Sequence, residues 1–581
     1  MRYWLFTFLF ALLFWNKAEG QSSSGGDSLH FTAIILDTES SETIPYAAVY
    51  NKTSGRATLS NIEGYFSLDR ISLNDTLILS FIGYRKKTII ASHLNLEKQI
   101  YLIPKIELLD QVTVYADNTF LYHLVASCYK SRAKRSKTAK TYYMLKSTVN
   151  DKQVECVENY CNGHFSGYNV DHLDLKNGRI ALSDFENRFF VSTESSKALY
   201  LHTLFKKNDY FPVSPFQLKK KKLKNQYDLA LVSKYVGEDS NTIYIIDFTP
   251  KEGFRMAFNG RVWIDSVDNR IVKVKLQIPN SKVHPFIPHG NVDSLVQVNM
   301  NITKTYYEIE NQSYVHSIDF DYLLSYRTME GSLFTVNTNA ILYAYDYTES
   351  FVLPRFNYPN GSYEDYRKIN ASPYNTFFWN NIDEFGMKDV QDKNNLFIQN
   401  ASTLTSETLF LNNAFFGKNF FEHPYVFWSE NRIKFREETT DFEDYTSTMP
   451  SERYHLEAQI YLDINDLNDS LNCITATVFD PVETFYHYPI TNEGLAFINM
   501  YFDLIEIHRM EIAQELNGLN KLEQMMAIYD QKTGQLKNIS RRFFQEVQRG
   551  TNSDGMLKWN DFIQRKIGID NVALFNLYSD E

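Results

Sequence analysis

The segment Phe31-Thr32-Ala33-Ile34-Ile35-Leu36-Asp37 is the first of a series of short strand patterns that ends near Tyr115. Apolar residues alternate within it, and turn signals recur about every 8–12 residues, which predicts a small β-sandwich. We expect Gly64 and Gly83 at turns or bulges that need a residue without Cβ. The later patterns are Ile44–Tyr50, Asn61–Leu68, Asp75–Tyr84, Ile100–Pro104 and Leu109–Val114.

Within this region the apolar residues Ile78, Phe81 and Ile82 are expected to form the core of the sandwich. Four of its motifs resemble the carboxypeptidase regulatory-like domain of Bacteroidetes cell-envelope proteins. They are Ile44–Val49, Asn61–Phe66, Phe81–Tyr84 and Leu108–Val114. The family usually has Asp where Asn61 and Glu63 stand. The resemblance implies a transthyretin-like sandwich over residues 28–116, a module that accompanies peptidases and outer-membrane receptors and does no chemistry itself.

The size and composition of the chain fit a multidomain, mainly β protein. Its 581 residues have room for two to four domains. Aromatic residues reach 15%, and most of them are Tyr and Phe, which favour β-rich packing over helix bundles. The net charge of -11 argues against a nucleic-acid partner, because phosphate binding needs a basic face.

Residues 1–20 have the pattern of a cleaved export signal. Arg2 gives a positive start, Trp4–Trp15 is apolar, and Ala18-Glu19-Gly20 is a small-x-small cleavage site. A membrane anchor is the alternative, but the apolar run is too short to span a bilayer. Since no later stretch has about 18 consecutive apolar residues, we expect no transmembrane helix in the mature chain. The predicted location is the periplasm, the outer membrane as an associated protein, or the cell surface.

Beyond the sandwich, the chain is expected to contain a helical linker, an antiparallel β domain, an irregular linker region and a C-terminal α+β domain with long helices. Asn118 is the predicted N-cap of a helix that extends to about Arg135. In the last domain, one long helix is expected to break near Gly534. The four predicted segments are 117–140, 141–350, 351–450 and 451–581.

The strand Arg270–Ile278 indicates a sheet with one wet face. Strict alternation would place Ile271, Lys273, Lys275 and Gln277 on one face and the other apolar residues on the opposite face. The hairpin Gly260–Asp265 resembles the middle region of Bacteroidetes proteins that carry the regulatory-like domain, a region similar to the curved sheet of periplasmic lipoprotein carriers. Carrier function does not follow from that resemblance.

The segment Phe502–Arg509 resembles part of a small Bacteroidetes zinc-peptidase-like domain. That family has H-E-x-x-H immediately before the Phe-Asp pair. Here Phe497 and Tyr501 stand at the two histidine positions, and Ile498 stands at the glutamate. With both metal ligands and the base missing, the resemblance implies a degenerate, non-catalytic copy.

Other residue sets allow two interpretations each. His508 and Glu511 fit an H-x-x-E zinc pair, but no second histidine follows, and a surface contact between adjacent helical turns is the alternative. His284 and His289 lie in a Pro loop that could bind a metal or be a plain loop. The set that a hydrolase would use is His455, Glu457, His487 and His508.

Cysteines and lysines leave further alternatives open. Cys156 and Cys161 could form a disulfide or remain buried thiols, although on a continuous strand they would face opposite sides. The basic residues between Lys130 and Lys140 could contact anionic lipid or polysaccharide, or be a solvated helix end and linker. Lys219–Lys222 with Lys224 fit a solvated loop better than a binding patch.

The sequence therefore predicts an exported cell-envelope binding or scaffold protein without catalytic activity of its own. No catalytic residue, cofactor site or metal site is expected. The expected partner is an envelope protein or a glycan, not nucleic acid, and peripheral membrane association stays open. The alternative is an envelope hydrolase, peptidase-like, with a site in the C-terminal region.

Overall fold

The computed structural model describes residues 29–105, 118–382 and 426–578, with internal gaps at 54–56, 62, 82, 95–97, 133–134, 183–184, 186–194, 238–240, 255, 287–292, 359–367, 370–371, 429–431, 434–452, 468–469, 481–482 and 490. The signal segment Met1–Gly20, the motif Leu108–Val114, Ile82, His289 and most of residues 351–450 lie outside this description. The described residues up to Lys105 form one compact unit, and those from Asn118 onward form another.

The N-terminal unit is a β-sandwich. Its strands are β1 (Leu29–Asp37), β2 (Ala48–Asn51), β3 (Ala57–Leu59), β4 (Tyr65–Ile71), β5 (Thr76–Ser80), β6 (Lys87–Ile90) and β7 (Gln99–Leu102), with a short helix α1 (Ala91–Leu94) before β7. One sheet has the order β4-β1-β7 and the other β3-β2-β5-β6. Apolar residues from both sheets form one buried core, which confirms the mainly β architecture predicted for this region.

The core of the sandwich differs in one strand from the expectation. On β5, Leu77 and Leu79 are buried, whereas Ile78 is only half-buried on the other face. Side chains in a strand alternate, so 77 and 79 share a face that 78 cannot join, and the placement of Ile78 in the core was wrong. Gly64 has φ +79°, and a Cβ there would stand 2.9 Å from Ile35 O, so the turn requires glycine as predicted.

Ten of the described strands of the second unit form one antiparallel sheet with the order β10-β9-β8-β17-β16-β15-β14-β13-β12-β11. They are β8 (Lys137–Val149), β9 (Lys152–Ser166), β10 (Asn169–Leu182), β11 (Tyr227–Val236), β12 (Thr242–Pro250), β13 (Asn259–Asp265), β14 (Arg270–Ile278), β15 (Ser294–Ile309), β16 (Gln312–Arg327) and β17 (Leu333–Asp346). The inner face packs against α2 (Thr119–Ser127), α3 (Ser195–Leu201) and α4 (Lys220–Gln226).

Helix α2 is shorter than predicted. Its α-helical part ends at Ser127, and one 3-10 turn continues to Ser131 instead of to Arg135. Asn118 stands at the N-cap but makes no side-chain capping bond, and its Nδ2 donates to Leu229 O at 3.4 Å. The buried face of Leu121, Leu124, Val125 and Cys128 agrees with the periodicity of the sequence.

A β-bulge changes the faces of β14. The register between β13 and β14 shifts after Trp263, so Val272 is inserted as an extra residue. Ile271 is therefore buried in the inner core with Val274, and its predicted place beside the lysines was wrong. Val272 instead joins Trp263 in a small apolar cluster on the outer face.

One lysine lies inside the inner core. Lys304 on β15 is fully buried, and its Nζ donates to His202 O at 2.9 Å. Burial disfavours the charged form and lowers the pKa of Lys304 to about 7. Lys304 follows the alternation of β15, in which Val298, Met300 and Ile302 are also buried, so a lysine occupies a core position of this strand.

The C-terminal part combines a small sheet with a helical layer. Strands β18 (Val426–Phe427), β20 (Ala458–Leu467) and β21 (Ser470–Phe479) form a sheet in the order β18-β21-β20, and β19 (Tyr454–His455) pairs with β22 (Phe485–Tyr486). The helices are α5 (Thr376–Asn381), α6 (Asn492–Leu516), α7 (Leu522–Val547), α8 (Ser553–Ile567) and α9 (Asn571–Leu574). Among the described helices, none has the length and apolarity needed to cross a bilayer.

Helix α7 runs without interruption through Gly534, so the predicted break was wrong. A Cβ at Gly534 would meet no atom within 4 Å, so this glycine lies in open space. A single glycine lowers helix stability by about 1 kcal/mol relative to alanine but does not force an end.

A buried ion pair joins the large sheet to the C-terminal sheet. Lys176 on β10 pairs with Asp463 on β20, and both side chains are almost completely buried. Lys176 Nζ also donates to Val352 O at 2.7 Å and Ile464 O at 2.8 Å. Asn177 and Asn375 donate to the second carboxylate oxygen at 3.0 and 2.9 Å. Because both charges have several partners, we infer that this junction is fixed rather than hinged.

Candidate functional site

Helix α6 contains the segment that resembles a zinc peptidase and the pair His508 and Glu511. Thr491 caps its start, since the Thr491 side chain accepts a hydrogen bond from Gly494 N. The helix then passes between the sheet of β20 and β21 and the helices α7 and α8. Most of its side chains from Ala496 to His508 are buried, so its polar groups need partners inside the domain.

Aromatic rings occupy the two positions at which the resembling zinc peptidases have histidine. Phe497 lies parallel to Phe543 with the ring centroids 5.7 Å apart. Tyr501 packs against Phe544 at 4.8 Å between centroids. Phe497 and Phe543 are completely buried, and Tyr501 is nearly so. Neither Phe nor this Tyr offers the nitrogen donors that a zinc ion takes from such a helix.

Asp503 is buried but has several donors around it. Trp428 Nε1 donates to Asp503 Oδ1 at 2.8 Å, and Arg432 Nη1 donates to Oδ2 at the same distance. Asn571 Nδ2 adds a bond of 2.7 Å to Oδ2. The segment around β18 is therefore bound to α6 by a charged hydrogen-bond network, which compensates the cost of burying the carboxylate.

The next polar residues of α6 also bond within the domain. Arg509 donates two hydrogen bonds to the Glu506 carboxylate, at 2.7 and 2.8 Å. Thr477 on β21 donates to Glu506 at 2.8 Å. His508 Nδ1 lies 2.8 Å from Leu504 O, and Glu511 pairs with Lys566 at 3.1 Å. His508 and Glu511 thus have separate partners and form no shared ligand set.

Two members of the predicted hydrolase cluster do meet. His455 Nε2 lies 3.2 Å from Glu457 Oε2. Burial raises the pKa of Glu457, and the charges of Asp480 and Glu483 add to the rise, while His455 opposes it. The ring of His487 stacks on Phe485, which also neighbours His455. The fourth member, His508, is buried on α6 and bonds to Leu504 O, so the structure brings together three of the four residues at most.

The remaining candidates are dispersed. His284 stacks on Phe286, and burial lowers the pKa of its imidazole, while its predicted partner lies outside the described residues. Cys156 and Cys161 are buried thiols on β9, so the disulfide alternative is not realised. The basic run Lys219–Lys224 does not form the predicted loop but helix α4, which buries Leu223 and exposes its lysines.

The sequence did not reveal a carboxylate pair on the outer face of the large sheet. Asn339 Nδ2 donates to Asp319 Oδ1 at 3.0 Å and to Asp321 Oδ1 at 2.5 Å. Burial raises the pKa of Asp319 to about 7, and the charge of Asp321 adds to the rise. On the same face, burial and the charge of Lys275 lower the pKa of Lys273 to about 7. The alternation Ile318-Asp319-Phe320-Asp321 could have shown that the two carboxylates share a face.

Comparison with known proteins gives a family for the N-terminal sandwich. Residues 34–114 match the model of the CarboxypepD_reg-like domain, which confirms the resemblance of that region and makes it a domain of this family. The match covers a small part of the chain. No curated protein matches the sequence.

Several solved structures have weak similarity to the chain. One is a domain from Vibrio parahaemolyticus described as an outer membrane lipoprotein-sorting protein, with 9% identity, 39% of this chain and 92% of that chain covered, and a TM-score of 0.18. Another is the MucA/MucB complex of Pseudomonas aeruginosa, with 9% identity, coverage of 39% and 93%, and a TM-score of 0.15. A LolA superfamily protein from Nitrosomonas europaea has 10% identity, coverage of 39% and 96%, and a TM-score of 0.14.

Proposed function

We propose that the protein is an exported cell-envelope binding or scaffold protein without catalytic activity of its own. The observation that supports this most is the packing of Phe497 and Tyr501. These residues stand where the resembling zinc peptidases have their metal-binding histidines, and both rings are part of the aromatic core between α6 and α7. A helix that uses these positions for packing has lost the donors for a hydrolytic zinc ion.

The polar residues of α6 support the same proposal. Asp503 and Glu506 each accept hydrogen bonds from an arginine, Arg432 and Arg509 respectively. These charge-assisted hydrogen bonds occupy both carboxylates inside the domain. Such groups hold elements together, which suits a rigid scaffold better than an acid-base site.

The N-terminal domain supports a role in the envelope. The CarboxypepD_reg-like sandwich resembles modules that dock or space other domains and do no chemistry, and residues 1–20 resemble an export signal. We propose that the mature chain begins at Gln21 and binds an envelope protein or a glycan. N-terminal sequencing of the protein from an envelope fraction tests the export step, and an intact Met1 would contradict it.

Complementation of a deletion strain tests the binding role against a catalytic one. We expect the double variant His455→Ala/Glu457→Gln to restore the wild-type phenotype to the deletion strain, because a scaffold does not need these groups. The partners that chemical crosslinking captures in the native envelope should be the same for the variant and the unchanged protein. A matched control is Lys558→Ala/Glu546→Gln, which removes another partly exposed pair of the same domain.

The second candidate is the envelope hydrolase, which the His455–Glu457 contact favours. A carboxyl group whose pKa is raised beside a histidine can serve in proton transfer. If that candidate is correct, the double variant fails to complement while its amount and crosslinked partners stay unchanged. That result would overturn the proposed function.

A further inference from the structure

The hairpin of β9 and β10 places three metal-binding side chains together at the edge of the large sheet. His164 on β9 is the direct cross-strand partner of His172 on β10, and Asp174 follows two residues later. The register shift between Val170 and His172 inserts Asp171, so this end of the hairpin is bulged. Strand β10 is an edge strand of the sheet, so the cluster lies where a ligand can approach.

The ligand atoms converge on one point. His164 Nε2 lies 2.9 Å from Asp174 Oδ2, and His172 Nε2 lies 3.7 Å from the same oxygen. The two imidazole rings are stacked, with centroids 3.9 Å apart and an interplanar angle of 14°. All three ligand atoms lie within 4.8 Å of one another. Their side chains are 31%, 54% and 41% exposed, respectively for His164, His172 and Asp174.

These separations suit a tetrahedral ion. Ligands at about 2.0–2.1 Å from zinc in tetrahedral geometry stand roughly 3.3–3.4 Å apart, and the two nitrogen–oxygen distances lie on either side of that value. Two neutral imidazoles and one carboxylate are a donor set that Zn²⁺ accepts. An ordinary ion pair would need one histidine, whereas here both Nε2 atoms approach the same oxygen.

A neighbouring strand supports the orientation of the first ligand. Thr138 on β8 is the cross-strand partner of His164 on its other side, and Thr138 Oγ1 lies 3.2 Å from His164 Nδ1. A hydrogen bond at Nδ1 fixes the orientation of the His164 ring and leaves the lone pair of Nε2 available to a metal ion. Metal-bound histidines are commonly oriented by a second hydrogen bond of this kind. The backbone of three adjacent strands therefore holds the cluster in position.

We propose that His164, His172 and Asp174 form a binding site for a divalent transition-metal ion of the zinc class. Three protein ligands leave the fourth position to water, so the bound ion is exchangeable and open to a further ligand. The site is separate from α6 and from the His455–Glu457 pair, and it does not depend on the proposed scaffold function. It also departs from the sequence-based expectation of no metal site, because only the strand register brings the two histidines together.

Metal titration of the full mature chain tests the proposal. The chain is freed of metal with a chelator and titrated with Zn²⁺ alone in a calorimeter, and in parallel with Co²⁺, whose visible absorption reports tetrahedral coordination. We expect one equivalent to bind. His172→Ala and Asp174→Asn should each weaken binding by at least about tenfold, and Thr138→Val by less. His123→Ala is the matched control, because His123 is an exposed histidine of the same unit.

The titrations of the variants distinguish metal binding at the β9–β10 hairpin from binding elsewhere in the chain. Loss of the one bound metal equivalent in both His172→Ala and Asp174→Asn, with binding unchanged in His123→Ala, supports the site. Absence of binding by the unchanged chain would overturn it, and so would one equivalent that persists in both His172→Ala and Asp174→Asn. Because all three side chains are partly exposed, circular dichroism of the variants should match that of the unchanged chain.

Discussion

Phe497 and Phe543 stack in parallel, and both rings are completely buried between α6 and α7. Replacing Phe497 with alanine should lower the free energy of unfolding of the C-terminal region by about 3–5 kcal/mol, since it leaves a cavity in a packed core. Urea denaturation followed by tryptophan fluorescence, to which Trp559 beside Phe543 contributes, measures the change. Met510→Ala on the exposed side of α6 is the control and should change it little.

His508→Ala should leave the zinc content of the purified protein unchanged. His508 Nδ1 is engaged with Leu504 O, and Glu511 pairs with Lys566 instead of sharing an ion with His508. Elemental analysis of both proteins is the measurement. One tightly bound zinc per chain that disappears in the variant would contradict both this prediction and the proposed lack of catalysis.

Breaking the buried ion pair between Lys176 and Asp463 should lower the free energy of unfolding substantially. Lys176→Met leaves the Asp463 charge with amide partners alone, and removal of one member of such a pair destabilises by about 3–5 kcal/mol. Arg565→Met removes an exposed pair with Asp561 and should cost at most about 0.5 kcal/mol. Thermal denaturation of the two variants compares these costs, and equal shifts would refute a structural role for the junction.

Lys304 should make stability depend on pH in the alkaline range. Its pKa in the folded chain is about 7, below the value of 10.5 for an exposed lysine, so the unfolded chain binds more protons between these pH values. Stability contributed by this residue therefore rises with pH from about 7 to 10, by up to about 1.4 kcal/mol per unit. The stability of Lys304→Met lacks this rise. The amount by which the variant is more stable than the unchanged chain should therefore shrink as pH increases. Denaturation midpoints of both proteins at several pH values measure this change. A stability difference that stays constant with pH would refute the lowered pKa of Lys304.

The N-terminal sandwich should fold by itself. A fragment of residues 28–116 contains both sheets and the whole of their shared core. We expect a β-type circular dichroism spectrum and a cooperative thermal transition, since a closed core is the requirement for independent folding. A helical spectrum or a transition without cooperativity would show that the fragment depends on the remainder of the chain.

Local sequence patterns predicted the fold of this protein more reliably than its candidate functional and metal sites. Alternation and turn residues predicted the sandwich and the wet-faced sheet, because these depend on neighbours in sequence. The bulge at Val272 escaped prediction, since one inserted residue leaves the apolar pattern almost unchanged. The pairs His164–His172 and Lys176–Asp463 depend on strand register and on contacts between distant segments, which one sequence does not specify.

The pairing of β8 with β17 has a consequence for how the large sheet assembles. Val149 lies opposite Val336, roughly 190 residues away in sequence, whereas β11 to β17 pair with the strands next to them along the chain. Loop-closure entropy makes such a distant contact slow to form, although each doubling of loop length costs only about 0.6 kcal/mol. The β11–β17 meander and the β8–β10 meander should therefore form first as separate nuclei. Their joining along β8 and β17 would set the rate of folding, and until then both strands would present unpaired edges open to aggregation.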